Sequence, residues 1–289
     1  MPSHSSSSGQ ARLLAVGALV LSMLSLQVGA AFAKQLFPII GPIATTGLRS
    51  GFAALVLCLL WRPWRGARLR RRQWLTVLLY GLSLGLMNLC FYNSLHFLPL
   101  GVAVAVEFTG PFCLALASSR RPLDFVWLGL AVAGLLGLDL PWRGAPPLSG
   151  PGLALALAAG ACWAAYILFG QRVGRFLPGG RASALGQFFA ATLTLPLGVA
   201  SGGAAILSLP VLMVAFVVAM MSGAIPYSLE MISLKRMPAK TFSILVSLEP
   251  AVGAAVGWLG LHEHLSPLRL LAMAALIIAS LGCTATSRR

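Results

Sequence analysis

The chain has 289 residues, of which 58% are hydrophobic and only 9% charged, against roughly a quarter charged in an ordinary soluble domain. So little charge leaves too little polar surface for a water-soluble fold, and the composition belongs to the membrane class. The net charge of +15 does not indicate nucleic acid, because basic residues such as Arg68, Arg70, Arg71 and Arg72 lie in short patches between apolar runs, with no stripe interleaved with aromatics.

Met1 to Gln10 is a Ser-rich polar tail, expected to be disordered. The first apolar run, 13–33, ends in Ala31-Phe32-Ala33 before Lys34, which resembles a signal-peptide cleavage site. Its length of about twenty residues exceeds an ordinary signal core and suffices to cross a bilayer, so it reads as a retained helix. Further apolar runs follow at 39–60, 74–97, 100–118, 123–140, 152–170, 182–201, 208–232, 239–259 and 267–285. They are too long and too evenly apolar for barrel strands, and helices satisfy their own backbone groups in lipid. The predicted fold class is an all-α membrane protein with ten transmembrane helices.

Charge sets the expected orientation. With the N-terminus inside, seventeen basic residues face the cytoplasm and three, Lys34, Arg143 and Arg269, face out, while Arg49 falls within a span. This is the positive-inside bias, with both termini cytoplasmic. Trp61, Trp64, Trp74, Trp127, Trp142 and Trp258 fall at or near the expected interfaces, and Trp163 inside a span.

An internal repeat organises the runs. A shift of 139 residues lays Pro99 on Pro238, Pro111 on Pro250, Ser94-Leu95 on Ser233-Leu234 and Asp124 on Glu263. Each half then has five helices, and an odd number inverts the second half, as in many secondary transporters whose site lies between the halves. The expected division is a tail at 1–10, repeats at 11–140 and 152–285, a linker at 141–151 and a basic tail at 286–289.

The six acidic residues are informative because they are few. Glu107 and Glu249 lie mid-span in corresponding segments, each near a proline (Pro111, Pro250). A carboxylate at that depth costs about 2.5–3.5 kcal/mol on insertion scales, so it should face a cavity or a partner, and it suits proton coupling. Arg49 offers a planar fork for a substrate carboxylate; pairing with Glu107 or Glu249, or snorkelling, is the structural alternative. Lys34 reads as an outer snorkeller. Glu230 reads as an interface residue, solvated or paired with Lys235 or Arg236, and Asp139 as solvated. Asp124 and Glu263 open segments 5 and 10, where capping and the helix dipole explain them.

Among neutral residues, Gln27, Asn88, Tyr92, Asn93, Trp163, Tyr166, Gln187 and Tyr227 can line a pocket for a small zwitterion or bond between helices. Asn88 falls on Tyr227 under the shift. His262-Glu263-His264 lacks the spacing of a helical zinc motif. Cys58, Cys90, Cys113, Cys162 and Cys283 lie in apolar runs without a C-x-x-C and read as small core residues. No phosphate loop, dinucleotide fingerprint or nucleophile elbow is present. The expectation is no enzyme, no cofactor and no metal, with transport driven by an ion gradient or running downhill.

Several runs carry a resemblance: Ala105-Val106-Glu107-Phe108-Thr109-Gly110-Pro111, Ser118-Ser119-Arg120-Arg121-Pro122, Gly160-Ala161-Cys162-Trp163-Ala164, Pro226-Tyr227-Ser228-Leu229-Glu230-Met231-Ile232 and Ser247-Leu248-Glu249-Pro250-Ala251. On these the chain resembles the drug/metabolite transporter superfamily, with two EamA-type repeats. The resemblance implies ten helices, an inner-membrane location and proton-driven export of small amino acids such as threonine and homoserine. It makes Glu107 and Glu249 the motif acids of the two repeats. The expected partners are a small amino acid, protons and the bilayer. Another amino acid, a metabolite or a cationic drug is the alternative cargo.

Overall fold

The computed structural model describes residues 4–65, 69–117, 122–139, 148–236, 246, 248–263 and 265–286. Its helices are α1 (His4–Trp61), α2 (Arg71–Ser94), α3 (Leu100–Glu107), α4 (Thr109–Ala117), α5 (Pro122–Asp139), α6 (Gly150–Gly174), α7 (Gly179–Ser201), α8 (Leu209–Ala219), α9 (Ile225–Arg236), α10 (Glu249–Leu261) and α11 (Pro267–Thr286). A 3₁₀ turn, Ala204–Leu207, precedes α8, and a π turn, Met220–Ala224, joins α8 to α9. Among the described residues there is no strand. Among the described residues, five helices are long and apolar enough to cross a membrane: Leu14–Trp61, Arg71–Ser94, Gly150–Gly174, Gly179–Ser201 and Leu209–Glu230.

α1 corrects two expectations. It is helical from His4, so the Ser-rich stretch is no disordered tail; adding residues to an existing helix avoids the cost of nucleation. Nor does it stop for a loop after Ala33. It runs through Lys34 and breaks at Gly41, whose φ of 78° and ψ of 164° suit a residue without Cβ. Pro42 has no N–H to continue the ladder. Thr45 and Thr46 donate instead to the carbonyls of Gly41 and Pro42, both at 2.8 Å.

The predicted span 100–118 is also divided, by a turn at Phe108. Pro111 leaves the Glu107 carbonyl without its α-helical donor, which weakens the helix there. Of the predicted span 239–259, α10 covers the part from Glu249; residues 239–245 and 247 lie outside the described residues.

The two halves interleave: α1 lies along α7, α2 on α6 and α7, α3 on α10 and α6, and α5 against α11. Small residues set the closest seams. Gly47 faces the Thr194 carbonyl and Gly198, and Gly110 meets Gly160 main chain to main chain. Every residue of α3 is buried, which makes it the centre of the bundle.

The bundle has two distinct ends. At one, Arg181 Nε donates to the Pro63 carbonyl at 2.7 Å, joining the end of α1 to the start of α7; Arg62, Arg172 and Arg175 belong to the same end. At the other, Lys34 Nζ lies 2.5 Å from Glu263 Oε1, and Glu263 Oε2 accepts from the Leu100 amide at 2.8 Å. Lys34 is therefore ion-paired rather than a lone snorkeller. Glu263 caps α3, not its own helix, because α11 begins only at Pro267 while the first amides of α3 lack intrahelical acceptors.

Candidate functional site

Arg49 lies in the second arm of α1 and is 1% exposed. Its partner is prepared by sequence. Pro226 cannot donate to the carbonyl four residues back, that of Ser222, and the π turn opens the helix there. Arg49 Nη1 donates to this carbonyl at 2.8 Å and to Ser222 Oγ at 3.3 Å. The guanidinium carbon stands 4.9 Å from the centre of the Tyr92 ring, and Tyr92 donates its hydroxyl proton to Ser222 Oγ at 3.3 Å. Gly223 leaves room beside the guanidinium.

Among the described residues, Arg49 Nε and Nη2 have no hydrogen-bond partner. These two nitrogens form one edge of the guanidinium, with parallel N–H donors that match a carboxylate. The ion pair found among the described residues is Lys34–Glu263, so the alternative of a salt bridge from Arg49 to Glu107 or Glu249 is not realised. A desolvated cation with free donors favours an anionic group that can approach it.

The two mid-span acids sit at helix ends, Glu107 as the last residue of α3 and Glu249 as the first of α10. Each is 7% exposed. They are close enough to interact electrostatically. Glu249 Oε1 accepts from Gln27 Nε2 at 3.3 Å, while Gln27 Oε1 is unpartnered. Glu107 faces Cys90 of α2 and Cys162 of α6. Its position is fixed from behind: a Cβ on Gly160 would lie 2.5 Å from the Glu107 carbonyl oxygen, so α6 touches the break directly. A cavity of about 430 Å³, lined by Ile43, Leu89, Cys90, Asn93, Leu155 and Ser201, lies toward the end away from the arginines.

Of the expected set, the structure brings Arg49 and Tyr92 into contact and places Glu107 and Glu249 within electrostatic range of each other. Tyr227 lies within electrostatic range of Arg49, Tyr92 and Glu230. Trp163 packs edge-on against Phe108 at 5.6 Å, beside the helix break. Tyr166 stacks on Tyr80 at 4.8 Å, nearer the arginine-rich end. Asn88 is buried and donates to its own helix at the Leu84 carbonyl, 2.8 Å away; it makes no bond to Tyr227. Gln187 is buried with both amide atoms unpartnered.

Two residues escaped the sequence reading. Ser222 was not singled out, although a serine four residues before a proline marks a carbonyl that a side chain can claim. Glu230 is half-buried rather than solvated, with Ser22 Oγ 3.4 Å from its Oε1; the alternative of pairing with Lys235 or Arg236 falls on side chains outside the described residues. The side chains of Asp124, Asp139, Lys235 and Arg236 lie outside the described residues.

Interleaved halves, helix ends at interior acids, and a buried arginine with a free edge define a membrane transporter rather than an enzyme. Residues 13–140 and 150–285 each match the EamA-like transporter family, and the chain belongs to it. It is 47% identical over 271 residues to the threonine/homoserine exporter RhtA of Escherichia coli strain K12, covering 94% of this chain and 91% of that protein. The protein of the same name from Salmonella typhimurium strain LT2 matches with the same identity and coverage. A solved crystal structure shares the fold at a TM-score of 0.64 and 20% identity, over 96% of this chain and 98% of that one.

Proposed function

We propose that this protein exports small amino acids, threonine and homoserine among them, from a bacterial cytoplasm in exchange for protons, by alternating access between its two halves. The reading includes ten spans in the inner membrane, with the arginine-rich end cytoplasmic. The observation that carries it is the unpartnered Nε–Nη2 edge of buried Arg49. A carboxylate-bearing solute satisfies that edge; a cationic drug does not, which disfavours the chief alternative cargo. The 47% identity to proteins named as threonine/homoserine exporters supports the choice of amino acid.

In this mechanism Arg49 receives the substrate carboxylate, and ionised Glu249 or Glu107 receives the ammonium. Tyr92 holds the guanidinium plane, and Tyr227, Asn88, Trp163 and Tyr166 shape the surroundings. Protonation of the acid from the outer side removes the charge that holds the ammonium, and the substrate leaves. Each charge moved across 100 mV is worth about 2.3 kcal/mol, enough for a substantial concentration ratio.

The test is uptake of labelled homoserine and threonine into inside-out vesicles containing the protein, with and without an imposed proton gradient. Accumulation that a protonophore collapses supports the reading. Equilibration without accumulation indicates a channel. Transport of neither amino acid by folded, inserted protein removes the proposed cargo.

A further inference from the structure

A second cluster of polar groups lies between the Arg49 centre and the arginine-rich end. Glu230 lies eight residues beyond Ser222, about 12 Å along the helix at 1.5 Å per residue. Tyr227 and Glu230 are three residues apart on α9 and share a face. Tyr80 of α2 and Tyr166 of α6 stack at 4.8 Å, with their hydroxyls 3.1 Å apart. All four lie at similar depth: Glu230 is six and Tyr227 nine residues from the end of α9, Tyr166 eight from the end of α6, and Tyr80 nine from the start of α2. Glu230 lies within electrostatic range of Tyr80, Tyr166 and Tyr227.

Ser22 of α1 fixes the geometry of the acid. Its hydroxyl lies 3.1 Å from the Pro226 carbonyl and 3.4 Å from Glu230 Oε1, so α1 and α9 are joined there. No cation is ion-paired with Glu230 among the described residues. A carboxylate within electrostatic range of three phenol groups has the chemistry that attracts a primary ammonium: an opposite charge, hydroxyl acceptors and electron-rich ring faces. Tyr227 lies within electrostatic range of both Glu230 and Arg49, and so links the two.

We infer that Glu230, with Tyr80, Tyr166 and Tyr227, forms a separate ammonium-binding station on the arginine-rich side, which a substrate occupies before its carboxylate reaches Arg49. Its natural occupant rests on the amino-acid reading above; the chemistry of the station does not. The substrate enters amine-first at Glu230 and passes Tyr227. Its carboxylate is captured by Arg49, and its amine is then transferred to Glu249 or Glu107. Glu230 in this scheme binds cargo and takes no part in driving it.

Two measurements on the full-length protein in nanodiscs and proteoliposomes test this. First, ethylammonium, which has no carboxylate, is titrated against wild type, Glu230→Gln, Glu230→Asp and the double variant Glu107→Gln/Glu249→Gln. The station predicts saturable binding that survives the double substitution, weakens at least tenfold in Glu230→Gln and is partly retained in Glu230→Asp. Second, homoserine uptake is measured from each face. KM from the arginine-rich face rises about tenfold in Glu230→Gln, while KM from the opposite face and proton-driven accumulation are unchanged. Ethylammonium binding by Glu230→Gln equal to wild type overturns the station. So does an unchanged KM from the arginine-rich face with loss of proton-driven accumulation, which makes Glu230 a proton carrier instead. If wild type carries neither amino acid, the export proposal falls, and the ethylammonium titration still decides the station.

Discussion

Replacing Arg49 by lysine tests the site most directly. Lysine keeps the positive charge and much of the length but loses the fork. In the structure one guanidinium nitrogen is committed to Ser222, at 2.8 Å, and the Nε–Nη2 edge is free. A substrate carboxylate therefore gains two parallel charge-assisted hydrogen bonds, each worth about 1.5–3 kcal/mol. An ammonium that satisfies either the Ser222 carbonyl or the substrate, with one good bond where there were two, forfeits about 1.5–3 kcal/mol. That is about a 10- to 150-fold fall in kcat/KM at 1.4 kcal/mol per decade. The assay compares homoserine with its amide, which keeps the ammonium and lacks the carboxylate. Wild type should prefer homoserine strongly, and Arg49→Lys should lose most of the preference by handling homoserine worse, with the amide little changed. A variant that keeps the full preference, while inserted and stable, refutes carboxylate capture by the free edge.

Glu107→Gln should insert normally and lose proton-driven accumulation while still exchanging substrate for substrate; normal coupled accumulation removes Glu107 from the coupling scheme. Gly160→Ala places a methyl group against the Glu107 carbonyl oxygen, 2.5 Å away. Main chain cannot yield as a side chain does, so a loss of about 1–3 kcal/mol is expected, read as earlier thermal unfolding in detergent; unchanged unfolding refutes the close approach. Glu263→Ala removes the cap of α3 and leaves Lys34 unpaired. The pair is largely shielded, with side-chain exposures of 20% and 14%, so about 2 kcal/mol is lost; a melting temperature within 1 °C of wild type would contradict that assignment.

Much of the architecture was legible because it is written in local features. Pro111 and Pro250 lie near the two mid-span acids in sequence, and in the structure α3 ends at Glu107 and α10 begins at Glu249. The arginine clusters marked one end of the bundle, and Arg181 does meet Pro63 there. What sequence concealed depends on distant partners. Lys34 looked like a loop charge because Glu263, which neutralises it, lies 229 residues away. Its helix therefore continues to Gly41, past the expected loop. Glu230 was read through its neighbours Lys235 and Arg236, but α9 continues to Arg236 and carries Glu230 more than a turn inside. The free edge of Arg49 could not be read at all, since it exists only because a π turn elsewhere presents the Ser222 carbonyl.

That carbonyl has a further effect. Arg49 belongs to α1, and Ser222 to the turn between α8 and α9, so the bond between them is also a tether between two helices. Any tilt of α9 against α1 turns the guanidinium and re-aims its free edge. Carboxylate affinity is then a function of helix separation, and by thermodynamic reciprocity an occupying carboxylate biases that separation by the same free energy. In the mechanism proposed above, a single main-chain oxygen thereby makes the carboxylate receptor a gauge of the transporter's own conformation.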